Sequence, residues 1–270
     1  MTVQSTYPTE YDLDLEVSAF TKHNWKTAEA RDRWKPSLDA CKRALPLVEM
    51  IAVTKDDTPR RVAQIERARL RDDRYVNIIS EYGLRVVTDH DHAIVCADVA
   101  DGEDAKEAHA EQDWRAYGEL LGIPPCCIDE HLKRDGVGAP IYEMACRSDN
   151  AVALDDDNQE ILLEDPDPMV NILWQAPLKY GYAFFTHVPC SFDCEQSSEI
   201  AKAHGGIFRE LDLGDEAEDL WEFLSTPTTW SGLNGMSNIR NGYLIGSTNT
   251  PSYWDEKIVI WGEEHASKLL

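Results

Sequence analysis

Positive charge is what this sequence is short of. Its 26 Lys and Arg face 50 Asp and Glu, leaving a formal net charge of −24 over 270 residues. The acids are spread along the chain rather than gathered into a tail. Such a surface repels polyanions and disfavours double-stranded nucleic acid as a partner. Long apolar runs are also missing: no stretch approaches the roughly 20 residues that a membrane span requires, so no membrane partner is expected. Met1 to Thr6 has neither a basic start nor an apolar run, so no secretory leader is expected. Cysteines are few and odd in number, seven in all, which argues against a disulfide-stapled scaffold in so long a chain. A reduced cytoplasm, with thiols free or metal-bound, is the compartment these absences point to.

The apolar share is an ordinary 43%, enough for a sizeable core in one large domain or two modest ones. The dispersed acidity resembles that of proteins from salt-in halophilic microbes, where molar salt cuts the Debye length to about 3 Å and screens self-repulsion. An acidic mesophilic protein is the alternative.

Apolar periodicity predicts an α+β fold: a small mixed sheet packed by several helices, with cysteine motifs at two helix N-termini. Residues 1–20 are polar and acidic and read as a flexible arm. Residues 21–147 read as a region of helices and a hairpin, 148–168 as an acidic linker or insertion, and 169–270 as an α+β C-terminal region. The whole is expected to form one compact unit joined at the cysteines. The stripe Ala28, Trp34, Leu38, Cys41, Leu45 and Val48 is helical, and Pro36 and Pro46 predict two short helices in place of one. A further amphipathic helix is expected from Asp104 to Leu121, stopped by Gly122.

One stretch departs from the acidic background. Arg60, Arg61, Arg67, Arg69, Arg71 and Arg74 crowd together among Glu66, Asp72 and Asp73. A solvated helix laced with ion pairs accounts for them. An anion pocket for a phosphate or a nucleic-acid backbone is the functional alternative, with Arg60, Arg61 and Arg67 as cofactor-binding candidates for a small molecule or nucleotide. Beyond it, Leu84–Val87 and Ala93–Ala97 read as strands flanking Asp89-His90-Asp91-His92, either a polar hairpin loop or a divalent-metal loop.

The strongest signal lies in two Pro-Cys steps. Pro124-Pro125-Cys126-Cys127 follows the Gly122 stop and opens a short helix, a position that suits Pro. His187-Val188-Pro189-Cys190 follows the aromatic run Tyr182–Thr186, read as a buried strand, and precedes a helix from about Ser191 to His204 ended by Gly205-Gly206. Helix N-termini carry positive potential and free N–H groups, which favour thiolate over thiol. Cys126, Cys127, Cys190 and Cys194 are therefore the candidate metal ligands. Cys126, Cys127 and His187 are candidate catalytic groups.

Three chemistries fit this set: an iron–sulfur cluster, a zinc ion held by four cysteines or by three with His187, and metal-free thiol redox. Buried packing cysteines are the plain alternative. The first supports redox or sulfur-transfer chemistry on a small molecule or nucleotide. The second supports a structural zinc protein that binds a partner through its arginine-rich segment. Adjacent cysteines are expected to diverge, so one of Cys126 and Cys127 is expected to be spare. The run Cys190-x3-Cys194-x2-Ser197 resembles the three-cysteine loop of radical S-adenosylmethionine enzymes, with Ser197 where the third cysteine belongs.

Taken together, Leu121-Gly122-Ile123-Pro124-Pro125-Cys126-Cys127 and His187-Val188-Pro189-Cys190-Ser191-x2-Cys194 resemble a prokaryotic family common in archaea. Its members share a Gly-apolar-Pro-x-Cys-Cys step and a later Pro-Cys-x3-Cys step. The family is a domain of unknown function, so the resemblance implies a shared cysteine site without naming a reaction.

Overall fold

The computed structural model describes residues 21–25, 28–133, 151–153, 160–163, 166–170, 182–231, 235–238 and 243–247. The expected N-terminal arm lies outside them, as do Cys146, which its apolar neighbours mark as a packing residue, Ile258–Trp261, whose run of apolar residues reads as a strand, and most of Val170–Trp174, which reads as a short helix.

The α+β class holds, in two sheets. Strands β1 (Thr21–Trp25), β5 (Ala151–Ala153), β6 (Glu160–Leu163), β7 (Thr228–Ser231), β8 (Gly235–Asn238) and β9 (Tyr243–Ser247) form a six-stranded sheet of order β1-β9-β8-β7-β6-β5. The acidic stretch, read as a linker or insertion, supplies two of these strands, β5 and β6. A three-stranded sheet of order β2-β4-β3 is built from β2 (Val62–Glu66), β3 (Arg85–Asp89) and β4 (His92–Cys96). Every pairing among the described strands is antiparallel, where a mixed sheet was expected.

The main core forms around α1 (Ala28–Ala52), which packs on α6 (Glu195–Glu210) and α7 (Gly214–Leu224). Helix α1 runs unbroken through Pro36 and Pro46, so the expected division in two does not occur. Each proline forfeits one intrahelical hydrogen bond, a local cost that the buried face outweighs. That face includes Leu38, Cys41, Leu45, Val48 and Ile51. Helix α6 likewise runs straight through Gly205 and Gly206, because Ile207 and Phe208 beyond them are buried in the same core.

Other expectations are corrected by local chemistry. The arginine-rich stretch is not one helix: it forms β2, a 3-10 turn over Arg67–Arg71 and then α2 (Asp73–Glu81), capped when the Asp72 carboxylate accepts from the Arg74 amide. Val62 is buried on one face of β2 and Ala63 and Ile65 on the other, and pairing with β4 completes the strand. The helix expected over 104–121 is two, α3 (Val99–Glu111) and α4 (Trp114–Leu120). Gln112 takes a left-handed φ of 60°, and the Asp113 side chain caps the second helix by accepting from the Ala116 amide. Tyr182, Phe184 and Phe185 are buried as expected and Thr186 is exposed, but the run is irregular rather than a strand. Its polar groups find side-chain partners: the Phe184 carbonyl is 2.7 Å from His204 Nδ1, and the Thr186 hydroxyl donates to Glu49.

Gly122 sets the approach to the site. It sits at φ +72°, and a Cβ there would lie 2.7 Å from the Arg60 Cα. The neighbouring Arg61 amide donates to the Leu120 carbonyl at 3.0 Å, tying the entry of β2 to the end of α4. Only glycine allows both the turn and the contact. The chain then enters α5 (Pro125–Leu132) directly.

Candidate metal centre

Two helix starts and a loop bring four sulfurs together. Pro124 is extended, Pro125 takes the first position of α5, and Cys126 and Cys127 fill the first turn. Cys127 is 2% exposed, whereas Cys126 reaches the surface in part. Cys194 is the residue before the first turn of α6 and is 6% exposed. Cys190 lies in the preceding loop, half-buried, and its amide donates to Cys127 Sγ at 3.3 Å. The helix expected from Ser191 starts instead at Glu195, so Cys190 and Cys194 approach from a loop and a helix cap rather than from one helix face.

The four Sγ atoms all lie within 4.8 Å of one another. Cys126 and Cys127 are each 3.7 Å from Cys194, and 3.9 Å from each other. The adjacent pair therefore converges where divergence was expected. Cys126 reaches in from the solvent side of α5 and Cys127 from the core side, so both meet the loop that carries Cys190.

Hydrogen bonds from Cys127 and Cys190 hold the Cys194 thiol far below its ordinary range. The same contacts, with Cys190 and Cys194, push Cys127 far above it, and burial adds to the effect. Burial, then the neighbouring Cys194, pushes Cys126 up to about 12. These hydrogen bonds favour negative charge on Cys194 over its neighbours. Ionising the neighbours as well places like charges within 4 Å, a cost that a cation among the sulfurs removes. The donor set is soft and thiol-rich, matched to zinc or iron rather than to a hard cation.

Behind the sulfurs stands a pair that sequence reading did not connect to them in this way. Ser197, fully buried, has its hydroxyl 3.5 Å from Cys127 Sγ and 2.8 Å from His187 Nε2. His187 stacks on Phe185 at 4.3 Å between ring centroids, and burial with the Arg60 charge depresses it to about 3, so it is neutral. His187, expected as a spare ligand, faces Ser197. Among the described residues, the group able to hold a metal comprises the four cysteines alone. The Ser197 position, noted as a departure from a three-cysteine loop, supplies a hydroxyl to the site in place of a thiolate.

The arginines are engaged elsewhere. Arg60 is buried and pairs with the buried Glu49 at 3.1 Å, while Arg61 pairs with Asp101. Arg67 donates to the His90 carbonyl at 3.4 Å, and Arg74 pairs with Asp72. Asp89-His90-Asp91-His92 is a tight hairpin turn, with His90 at φ 46° and the buried Asp89 carboxylate 2.8 Å from His109 Nδ1. Asp129, next to the cysteines in sequence, pairs with Arg115 on the surface. Cys41 and Cys96 are core residues, as their apolar surroundings predict.

Fold and site together define the class: an α+β protein with a four-cysteine cluster able to hold a metal, in which no described helix is long and apolar enough to cross a membrane. Comparison with models of protein families, with curated proteins and with solved structures found no match to this chain.

Proposed function

We propose that the four cysteines hold a single tetrahedral ion, zinc, in a closed site that fastens α5 to the 182–194 loop and to α6. The sulfur spacing carries this reading. Four thiolates about 2.3 Å from one ion at tetrahedral angles stand about 3.8 Å apart. Three of the pairs here are separated by 3.7, 3.7 and 3.9 Å. An iron–sulfur cluster interposes iron and sulfide between its ligands and holds its thiolates further apart. Four protein thiolates leave no open coordination position, which is the pattern of structural rather than catalytic zinc.

The role follows from where the ligands come from. Cys126 and Cys127 lie at one helix start, and more than sixty residues later Cys194 caps another, with Cys190 in the loop before it. An ion bound there ties the α4–α5 layer beside the three-stranded sheet to the α1–α6–α7 core. Metal affinity then becomes folding free energy. The Cys190 amide and the Ser197 hydroxyl orient Cys127 toward the centre, as outer hydrogen bonds do at metal sites. The prokaryotic family resembled by the two motifs would, on this reading, share the whole ligand set.

A second reading, thiolate chemistry of a redox or sulfur-transfer kind at the same sulfurs, draws on one observation. Cys126 and Cys190 are partly exposed, whereas Cys127 and Cys194 are buried. Metal analysis and absorption of anaerobically purified protein separate the readings. A colourless protein with one zinc per chain, whose cobalt-substituted form shows the intense visible bands of a tetrahedral tetrathiolate, supports the closed site. Stoichiometric iron and sulfide with a visible band that bleaches on reduction would replace it with a cluster. A metal-free protein with titratable thiols would leave only the thiol chemistry.

A further inference from the structure

A second feature lies away from the cysteines, between α6 and α7. A cavity of about 350 Å³ is lined by Lys202, Gly205 and Arg209 of α6, by Ala217, Glu218 and Trp221 of α7, and by Met169 and Phe184 beneath. The volume falls at the small end of ligand pockets.

Three properties of the cavity point to one kind of occupant. The floor and one wall are apolar, and Trp221 is 49% exposed, an unusual position for so large an apolar surface. Lys202 and Arg209 lie seven residues apart on one helix face, flanking Gly205. In a chain of net charge −24, acid partners are plentiful. Yet among the described residues neither cation forms an ion pair, not even with Glu218 across the cavity.

Gly205 is the third property. A glycine inside a helix weakens it and is ordinarily kept for a left-handed φ or a close neighbour. Gly205 has neither: its φ is not positive, and an added Cβ would meet nothing within 4 Å. What a side chain there would enter is the cavity.

We propose that this cavity binds a small amphipathic anion: a flat apolar body against Trp221, Phe184 and Met169, with one carboxylate or phosphate between Lys202 and Arg209. Glu218 at the rim accepts from a donor on the ligand and rejects a second negative charge nearby. The site is independent of the metal centre, so its ligand binds whether the cysteines hold zinc, a cluster or no metal.

Calorimetric titration of the full chain with naphthoate, naphthyl phosphate and the neutral naphthamide tests the proposal. Saturable binding of at least one anion at one site is expected, with naphthamide about tenfold weaker or more for loss of the charge-assisted contacts. The tighter of the two anions identifies the acid group. The double variant Lys202→Gln/Arg209→Gln is expected to weaken the anion about tenfold and to leave naphthamide unchanged. Gly205→Leu, which fills the cavity, is expected to abolish binding while metal content stays the same. Should Gly205→Leu fail to fold, Trp221→Ala on the exposed wall is expected to weaken both anion and amide together. No binding by either anion, equal binding of naphthamide, or anion affinity unchanged in the double variant overturns the proposal.

Discussion

Cys194 is the residue on which the cluster turns, since its sulfur lies 3.7 Å from both members of the adjacent pair. On the proposed zinc reading, Cys194→Ala is expected to cut bound metal from one per chain to a substoichiometric amount, read by metal analysis after gel filtration. Cys41→Ala, in the core but far from the cluster in role, is expected to keep full metal at some cost in stability. If both variants retain metal, the four-thiolate site is wrong. A different test falls on His204, whose Nδ1 meets the Phe184 carbonyl and whose Nε2 is buried with no partner among the described residues. Burial above all, then the Arg60 charge, lowers this imidazole from 6.5 to about 4. The folded chain keeps it neutral while the unfolded chain takes up a proton, so unfolding gains protons between those values. Stability is full above about pH 6.5 and is lost as pH falls toward 4, by about 3 kcal/mol for this group alone. His204→Gln retains a donor for Phe184, and a flatter urea midpoint from pH 7 to 5 is the result to look for.

The elements show where local preference yields. Gly205 and Gly206 carry the signature of a helix end, yet α6 continues because the residues beyond them are buried. An added Cβ at Gly206 meets nothing within 4 Å, so Gly206→Ala is expected to raise stability by about 0.5–1 kcal/mol in denaturant unfolding. Gly122→Ala has the opposite sign. Its positive φ and the Arg60 Cα 2.7 Å from an added Cβ predict a loss of more than about 1 kcal/mol and, on the zinc reading, weaker metal retention through the displaced start of α5. Pro36 and Pro46 teach the same lesson from within α1: intrinsic breakers fixed the expectation of two helices, and a continuous buried face made one. The Arg60–Glu49 pair is the polar counterpart. With both side chains 6% exposed, Arg60→Met leaves Glu49 charged and buried and is expected to cost about 3–5 kcal/mol. The double change Glu49→Leu/Arg60→Met is expected to cost less than Arg60→Met alone, a double-mutant cycle that isolates the pair.

Across the whole molecule, the charge of −24 and the proposed metal tie set the response to solution conditions. Self-repulsion of so many carboxylates is screened as the Debye length shrinks from about 10 Å at 0.1 M salt to about 3 Å at 1 M. Thermal midpoints are expected to rise steadily with potassium chloride over that range, and a flat profile would contradict the halophile-like reading. On the proposed zinc reading, a strong chelator is expected to lower the midpoint at every salt concentration, because an ion held at the four cysteines would stabilise only the folded chain.

What the sequence determined by itself is the local and the summed: the acidic surface, the α+β class, the burial of the Leu38–Val48 stripe and of Tyr182–Phe185, and the placing of a Pro-Cys step beside two helix starts. These follow from composition, periodicity and the first-turn chemistry of Pro and Cys, which need no distant partner. Tertiary structure decided what depends on residues far apart in the chain. It brought Cys126 and Cys127 together with Cys190 and Cys194, turned His187 onto Ser197 instead of the sulfurs, and gave Arg60 to Glu49. It also carried α1 and α6 through their helix breakers. The reason is the same in each case: a residue's own conformational preference is worth about 1–3 kcal/mol, and the burial of a whole helix face or the partnering of a buried charge outweighs it.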